Sequence, residues 1–237
     1  MLRPHPTDSL AAQSAVRLQG VARRFGDRWV LRGVDLDIAP GEVVALTGRN
    51  GSGKTTLLRI IATLLRPTRG AATVFGHDTV REPDPIRARV GFLGHRAGLY
   101  DHLTAAENLI FSLRMAGRVA DPAAVGAALA RVRLTEARDE RVRGFSAGMQ
   151  RRLGLARLLL RPPSVLLLDE PYASFDSDGV DLVNEFASEV AASGGVVLLA
   201  THDMTRALDL MTRQVHVEDG LLMECETRAP TRLGVVT

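Results

Sequence analysis

The segment Gly48-Arg49-Asn50-Gly51-Ser52-Gly53-Lys54-Thr55-Thr56 holds the only lysine of a 237-residue chain, in which 29 of the 30 Lys+Arg are arginine. An ammonium kept at one position in so arginine-rich a chain points to a tight site, because lysine is a compact point charge and arginine a wide planar fork. The segment fits GxxxxGK[ST], a loop that wraps phosphate. Its glycines let successive N–H groups, those of Arg49, Asn50 and Ser52 among them, turn inward as an anion-binding nest. Lys54 would bridge the β and γ phosphates of a nucleotide. Thr55 is placed to offer its hydroxyl to magnesium, and Thr56 to reach the α-phosphate region at the positive end of the next helix.

Two further constellations carry chemistry. Val165-Leu-Leu-Leu-Asp-Glu170 is an apolar strand ending in two carboxylates, and acids at the carboxyl end of a parallel strand face the ligand crevice. Asp169 would orient magnesium through water. Glu170 is the candidate general base, because phosphoryl transfer to water needs a positioned nucleophile. Phe145-Ser-Ala-Gly148 opens a helix, with Ser146 an N-cap candidate. A helix N-terminus with a serine hydroxyl and the Gly148 backbone N–H is also a second γ-phosphate site.

These residues need an α/β scaffold. Val16 to Phe25 and Leu31 to Ile38 read as an antiparallel start, and Glu42 to Thr47 as the buried strand entering the loop. Leu57, Leu58, Ile60, Ile61, Leu64 and Leu65 give the following stretch a helical apolar face. Strands follow near Ala71 to Phe75 and Val90 to Leu93. Thr-Ala-Ala-Glu107 is a capping box, and Asp121-Pro122 starts another helix. After Pro162-Pro163 the parallel-sheet pattern returns: Val165 to Leu168, a helix from about Asp178 to Ala192, Val196 to Ala200, then short strands to about Glu224. The expected organisation is a disordered tail over 1–15, one domain over 16–226 with a helical insert over about 97–160, and a short tail over 227–237.

Composition sets the outer limits. A hydrophobic content of 46% is enough to fill one large α/β core. No apolar run approaches the roughly 18 residues of a membrane span. The first fifteen residues lack the apolar core of a secretion signal. Cys225 is the only cysteine, which excludes a disulfide framework and fits a reducing cytosol. The net charge of +3 raises nucleic acid as a partner, but arginines are dispersed among 27 acidic residues and aromatics are only 4%, so no stacking platform for single strands is expected.

As a set, from about Val16 to Glu224, the residues resemble the ATP-binding subunits of ABC transporters. The loop at Lys54 is similar to Walker A, Asp169 and Glu170 to Walker B and its catalytic glutamate, and Phe145 to Met149 to the signature motif. Ala173-Ser-Phe-Asp176 looks like the D-loop, His202 like the switch histidine, and Phe25 like the aromatic residue that stacks on adenine. The resemblance implies a P-loop NTPase with a RecA-like, mostly parallel core, an antiparallel β start and an inserted helical subdomain. It further implies ATP and Mg2+, a head-to-tail homodimer in which Ser146 and Gly148 close over nucleotide at the partner's Lys54 site, a separate membrane permease, and a peripheral place on the cytoplasmic face of the inner membrane.

Three positions depart from the family pattern. Ala147 replaces a glycine and Met149 a glutamine in the signature, and His95 stands where a glutamine contacts magnesium and the attacking water. An imidazole can donate and accept in the same place, but the side chain is one that titrates near neutral pH, as glutamine does not. Gly94-His-Arg-Ala-Gly-Leu-Tyr100 with the following Asp-His-Leu-Thr-Ala-Ala-Glu-Asn-Leu109, and Asp169-Glu-Pro-Tyr-Ala-Ser-Phe-Asp176, resemble the ATPase subunits of cytochrome c maturation haem exporters. Exporters of drugs, lipids or ions share these loops. Soluble ABC ATPases of translation or repair share the core, but carry two such domains or a long coiled coil, and this chain has one phosphate loop and no heptad run.

Overall fold

In the computed structural model of the chain, residues 14–95 and 97–227 are described. The first two strands, β1 (Val16–Phe25) and β2 (Arg28–Ile38), form an antiparallel hairpin that pairs Phe25 with Arg28. The second strand starts three residues earlier than the apolar pattern suggested. Gly26, at φ 57°, and Asp27 make a two-residue turn, so pairing resumes at once. Two more strands, β4 (Arg69–Val74) and β5 (His77–Asp78), complete a four-stranded sheet of order β2-β1-β4-β5.

The second sheet holds the chemistry. It contains β3 (Val43–Thr47), β6 (Val90–Leu93), β7 (Val165–Asp169), β8 (Val196–Ala200), β9 (Arg213–Glu218) and β10 (Leu221–Thr227), in the order β10-β9-β3-β8-β7-β6. All neighbours are parallel except β10 against β9. Strands β3, β7 and β8 are buried at every residue. The reason is alternation between two cores: Val44, Leu46, Val165, Leu167, Val196 and Leu198 face one, and Val43, Ala45, Leu166, Leu168, Val197 and Leu199 the other.

The first core lies between this sheet and the four-stranded one and takes in α1 (Lys54–Ile61), which buries Leu57, Leu58, Ile60 and Ile61. A short helix, α2 (Pro83–Arg87), leads into β6. The second core packs α3 (Ala105–Met115), α4 (Pro122–Arg131), α5 (Ala147–Leu159) and α6 (Ser177–Ala192). Thr104 caps α3 reciprocally with Glu107, and Asp121 caps α4 through the Ala123 N–H at 2.9 Å. Three helices thus fall inside the range expected for the helical insert.

Of the tail expected over 1–15, residues 1–13 lie outside the described residues. Ala15 is a correction: it is 1% exposed, its N–H donates to the Ile38 carbonyl at 2.7 Å, and its carbonyl accepts from Phe75 at 2.7 Å. Joining two strands at once satisfies its backbone inside the sheet. Strand β10 runs to Thr227, so only 228–237 of the expected C-terminal tail remain, and these are also outside the described residues.

Candidate nucleotide site

Register brings the site together. Leu46 pairs with Ala200, and Ala200 with Asp169, so the carboxyl ends of β3, β8 and β7 stand level. Each strand then delivers its chemistry to the same edge: the glycine-rich loop after Thr47, Thr201 and His202 after Ala200, and Glu170 after Asp169. The cleft there, of about 400 Å³, is lined by Arg28, Val30, Asn50, Gly51, Gly53, Lys54, Thr55, Thr56, Asp169 and Glu170.

Lys54 is 6% exposed and donates from Nζ to the carbonyls of Gly48 at 2.6 Å and Arg49 at 3.1 Å. The loop is closed on its outer side as well. A Cβ on Gly48 would lie 2.2 Å from the Val217 carbonyl, and one on Gly53 2.7 Å from Leu31 Cδ2. Both glycines have φ above +120°, which only glycine adopts easily. The end of β9 and the start of β2 therefore press the loop into one shape. Gly48 is outside the cleft lining, and Arg49 and Ser52 line an adjoining groove with Asn50 and Gly51.

The Thr55 hydroxyl donates to Asp169 Oδ1 at 2.9 Å. Burial pushes the Asp169 carboxyl above its usual range; the Thr55 hydrogen bond pulls it back, nearby Glu170 adds to the rise, and the charges of Arg59 and Lys54 oppose it. Among the described residues no group of three or more His, Cys, Asp or Glu could hold a metal. A hydroxyl beside one carboxylate nonetheless fits magnesium, which binds through one or two protein oxygens plus substrate phosphates.

Glu170 sits at φ +50°, unusual for a residue with a side chain, and its N–H is anchored to the Ala200 carbonyl at 2.8 Å. Its Oε2 lies 2.8 Å from His202 Nδ1. An ionised carboxylate only accepts, so in this contact Nδ1 is the donor.

A second constellation lies apart from the cleft. Ser146 caps α5 by accepting from the Met149 N–H at 3.2 Å, and a Cβ on Gly148 would meet the Ser174 carbonyl at 3.0 Å. Asp176 caps α6 through the Gly179 N–H at 2.9 Å and accepts from Arg152 at 2.6 Å. The amide bond from Gly179 and then the Arg152 charge hold its carboxyl below the usual range. Ser146, Gly148 and Asp176 are thus one unit, and none of the three lines the cleft of their own chain.

Two expected site residues stand elsewhere. Phe25 is 47% exposed with the Arg23 guanidinium 4.5 Å from its ring centroid, and it is not among the cleft-lining residues. His95 is exposed and is likewise absent from the lining. Sequence reasoning missed Arg28 and Val30, whose place in the cleft depends on the tight turn at Gly26 and Asp27.

A glycine-rich loop, a buried lysine and a threonine bonded to the carboxylate of a neighbouring parallel strand define a nucleotide-binding protein of the phosphate-loop class. The ABC transporter family model matches residues 31–173, and the chain belongs to that family, as an ATP-hydrolysing subunit. It is 39% identical over 211 residues to the daunorubicin resistance ATP-binding protein DrrA3 of Streptomyces coeruleorubidus, covering 88% of this chain and 67% of the relative. It is 40% identical over 185 residues to the cytochrome c biogenesis ATP-binding export protein CcmA of Methylococcus capsulatus, covering 78% and 88%. To the ABC transporter ATP-binding protein NatA of Bacillus subtilis it is 36% identical over 212 residues, covering 86% of each. Among solved structures, a dimeric ATP-binding cassette in a post-hydrolysis state with ADP and Pi superposes with a TM-score of 0.81 at 27% identity, covering 90% of this chain and 98% of that one.

Proposed function

We propose that two copies of this chain hydrolyse ATP head to tail and drive export through a separate membrane permease. The observation that supports this most directly is the split of the site residues into two groups, Lys54 with Thr55, Asp169 and Glu170 in the cleft, and Ser146 with Gly148 and Asp176 outside it. A composite site needs such halves on different faces. In this reading Lys54 and the loop N–H groups hold the phosphates, and Ser146 and Gly148 of the other copy close over the γ-phosphate. Glu170, oriented by His202, takes the proton of the attacking water. Thr55 and Asp169 would hold magnesium, which would supply positive charge to the phosphates. Phe25 stacks on adenine and His95 lies near the water once nucleotide is bound. No helix among the described residues is long and apolar enough to cross a membrane, in keeping with a separate permease and a peripheral place on the cytoplasmic face of the inner membrane.

For the cargo we propose haem, exported for cytochrome c maturation. The support is the run from Gly94 to Leu109 and the identity to relatives named for cytochrome c biogenesis. A second reading, export of a drug, is favoured by the daunorubicin-resistance relatives, which match a larger share of this chain. Deleting the gene and staining for covalently bound haem tests the choice. Loss of c-type cytochromes, restored by the wild-type chain and not by Glu170→Gln, supports haem export; normal cytochromes overturn it.

A further inference from the structure

Ser174 carries a side chain and yet stands at φ +66°, in the turn that runs from Glu170 to the start of α6. Left-handed backbone is costly for such a residue and persists only where its surroundings impose it. The turn's own bonds are long: the Ala173 N–H reaches the Glu170 carbonyl at 3.2 Å and the Phe175 N–H the Tyr172 carbonyl at 3.3 Å. Arg152 supports the turn from outside. From α5 its Nη2 donates to Asp176 Oδ1 at 2.6 Å, its Cζ stands 5.8 Å from the Phe175 ring centroid, and its Nη1 lies 3.5 Å from the Val132 carbonyl. The Phe175 ring in turn packs on Gly179, where a Cβ would come within 2.6 Å of it, and a Cβ on Gly148 would stand 3.0 Å from the Ser174 carbonyl. The side chain of Arg152 is 12% exposed and that of Asp176 67%. An ion pair so open on its acidic side adds little to stability, so its consequence is geometric. One planar fork meets α6, the turn and the end of α4 together, which a single ammonium could not do.

We propose that Arg152 is a positioning residue for ATP hydrolysis. It holds the strained turn over 173–176 against α5, so that Ser146, Gly148 and Asp176 meet the other copy's nucleotide as one preformed surface. The inference rests on the head-to-tail reading. Another arginine ties the helical insert to α6, Arg131 through Glu189, but that pair lies toward the far end of α6 from the turn.

The test measures ATP hydrolysis, nucleotide affinity and ATP-trapped dimer in the full-length chain. Arg152→Met is expected to keep ATP affinity within about twofold, since neither Arg152 nor residues 173–176 line the cleft, and to lose roughly 10-fold in kcat. Arg131→Met, which removes an ion pair without touching the turn, is expected to keep kcat. Glycine adopts a positive φ freely, so adding Ser174→Gly to Arg152→Met should return about threefold or more in kcat, and less than that when made in the wild-type chain. If Arg152→Met fails to fold, the same comparison is made on Arg152→Lys, which keeps the charge and loses the fork. Wild-type kcat in the Arg152 variant, an equal loss in Arg131→Met, or equal gains from Ser174→Gly in both backgrounds overturns the proposal. Dimer trapping separates it from the reading beneath it. A Glu170→Gln chain that stays monomeric with ATP overturns the head-to-tail reading and this proposal with it; a Glu170→Gln dimer that Arg152→Met leaves undiminished overturns this proposal alone.

Discussion

His202 Nδ1 stands 2.8 Å from Glu170 Oε2, although the two residues arrive on different strands, β8 and β7. The contact is set by register: Asp169 pairs with Ala200, so the residues just beyond each strand emerge side by side. Glu170 is held at φ +50° by the bond from its N–H to the Ala200 carbonyl, which fixes the backbone from which its side chain reaches the imidazole.

Glu170→Gln is expected to keep ATP binding and lose turnover by about 10²-fold or more, the usual worth of a general base. Because product formation stops while closure does not, ATP should trap a dimer in size-exclusion chromatography. Unchanged hydrolysis removes Glu170 from the role of base. His202→Ala is expected to lower kcat with little effect on nucleotide affinity, since it touches Glu170 and not the phosphate loop.

Lys54→Arg tests the composition bias directly. The chain accepts arginine at 29 other positions, but Lys54 sits in a closed loop with two carbonyls at 2.6 and 3.1 Å. A planar fork has no room to thread that loop and reach a phosphate. Turnover should fall below detection and ATP affinity drop, measured by phosphate release and by fluorescent-nucleotide titration. Near-normal activity would show that the position needs only a positive charge.

Asp176 carries a pH signature. Its folded carboxyl lies below the ordinary range, chiefly through the Gly179 amide and then Arg152. A depressed carboxylate stabilises the fold above its unfolded value, near 3.9, and that stabilisation disappears as pH falls through the lower folded value. Asp176→Asn should therefore unfold more easily than wild type at pH 7, with the gap narrowing only below about pH 4. A constant gap down to pH 3 in urea titrations would assign the effect to lost packing.

Much of this was readable in the residues because the strongest signals are local. The capping box at Thr104, the cap at Asp121 and the alternating apolar strands each follow from neighbours in the chain. What escaped depends on register and orientation. Arg28 is one arginine among 29, and it lines the cleft only because Gly26 and Asp27 turn the chain in two residues. Ala15 carries no strand signal, yet it bonds two strands. Phe25 and His95 match motif positions by order, but order does not aim a side chain, and both stand outside the cleft lining.

Two glycines of the same loop separate backbone strain from steric contact. Gly48 has φ +133° and a Cβ there would lie 2.2 Å from the Val217 carbonyl, a backbone atom of β9. Gly51 has φ +80°, and the nearest atom to its Cβ is Arg28 Nη2 at 4.0 Å, the far end of a flexible side chain. Gly51→Ala should cost about 1 kcal/mol, the penalty of a left-handed conformation. Gly48→Ala adds displacement of the β9 backbone and should cost about 3 kcal/mol or more. Urea unfolding at one pH checks both. Equal costs would mean that β9 yields freely and does not brace the phosphate loop; a larger cost at Gly48, with weakened ATP binding, would make the loop's shape a property of the strand packed behind it.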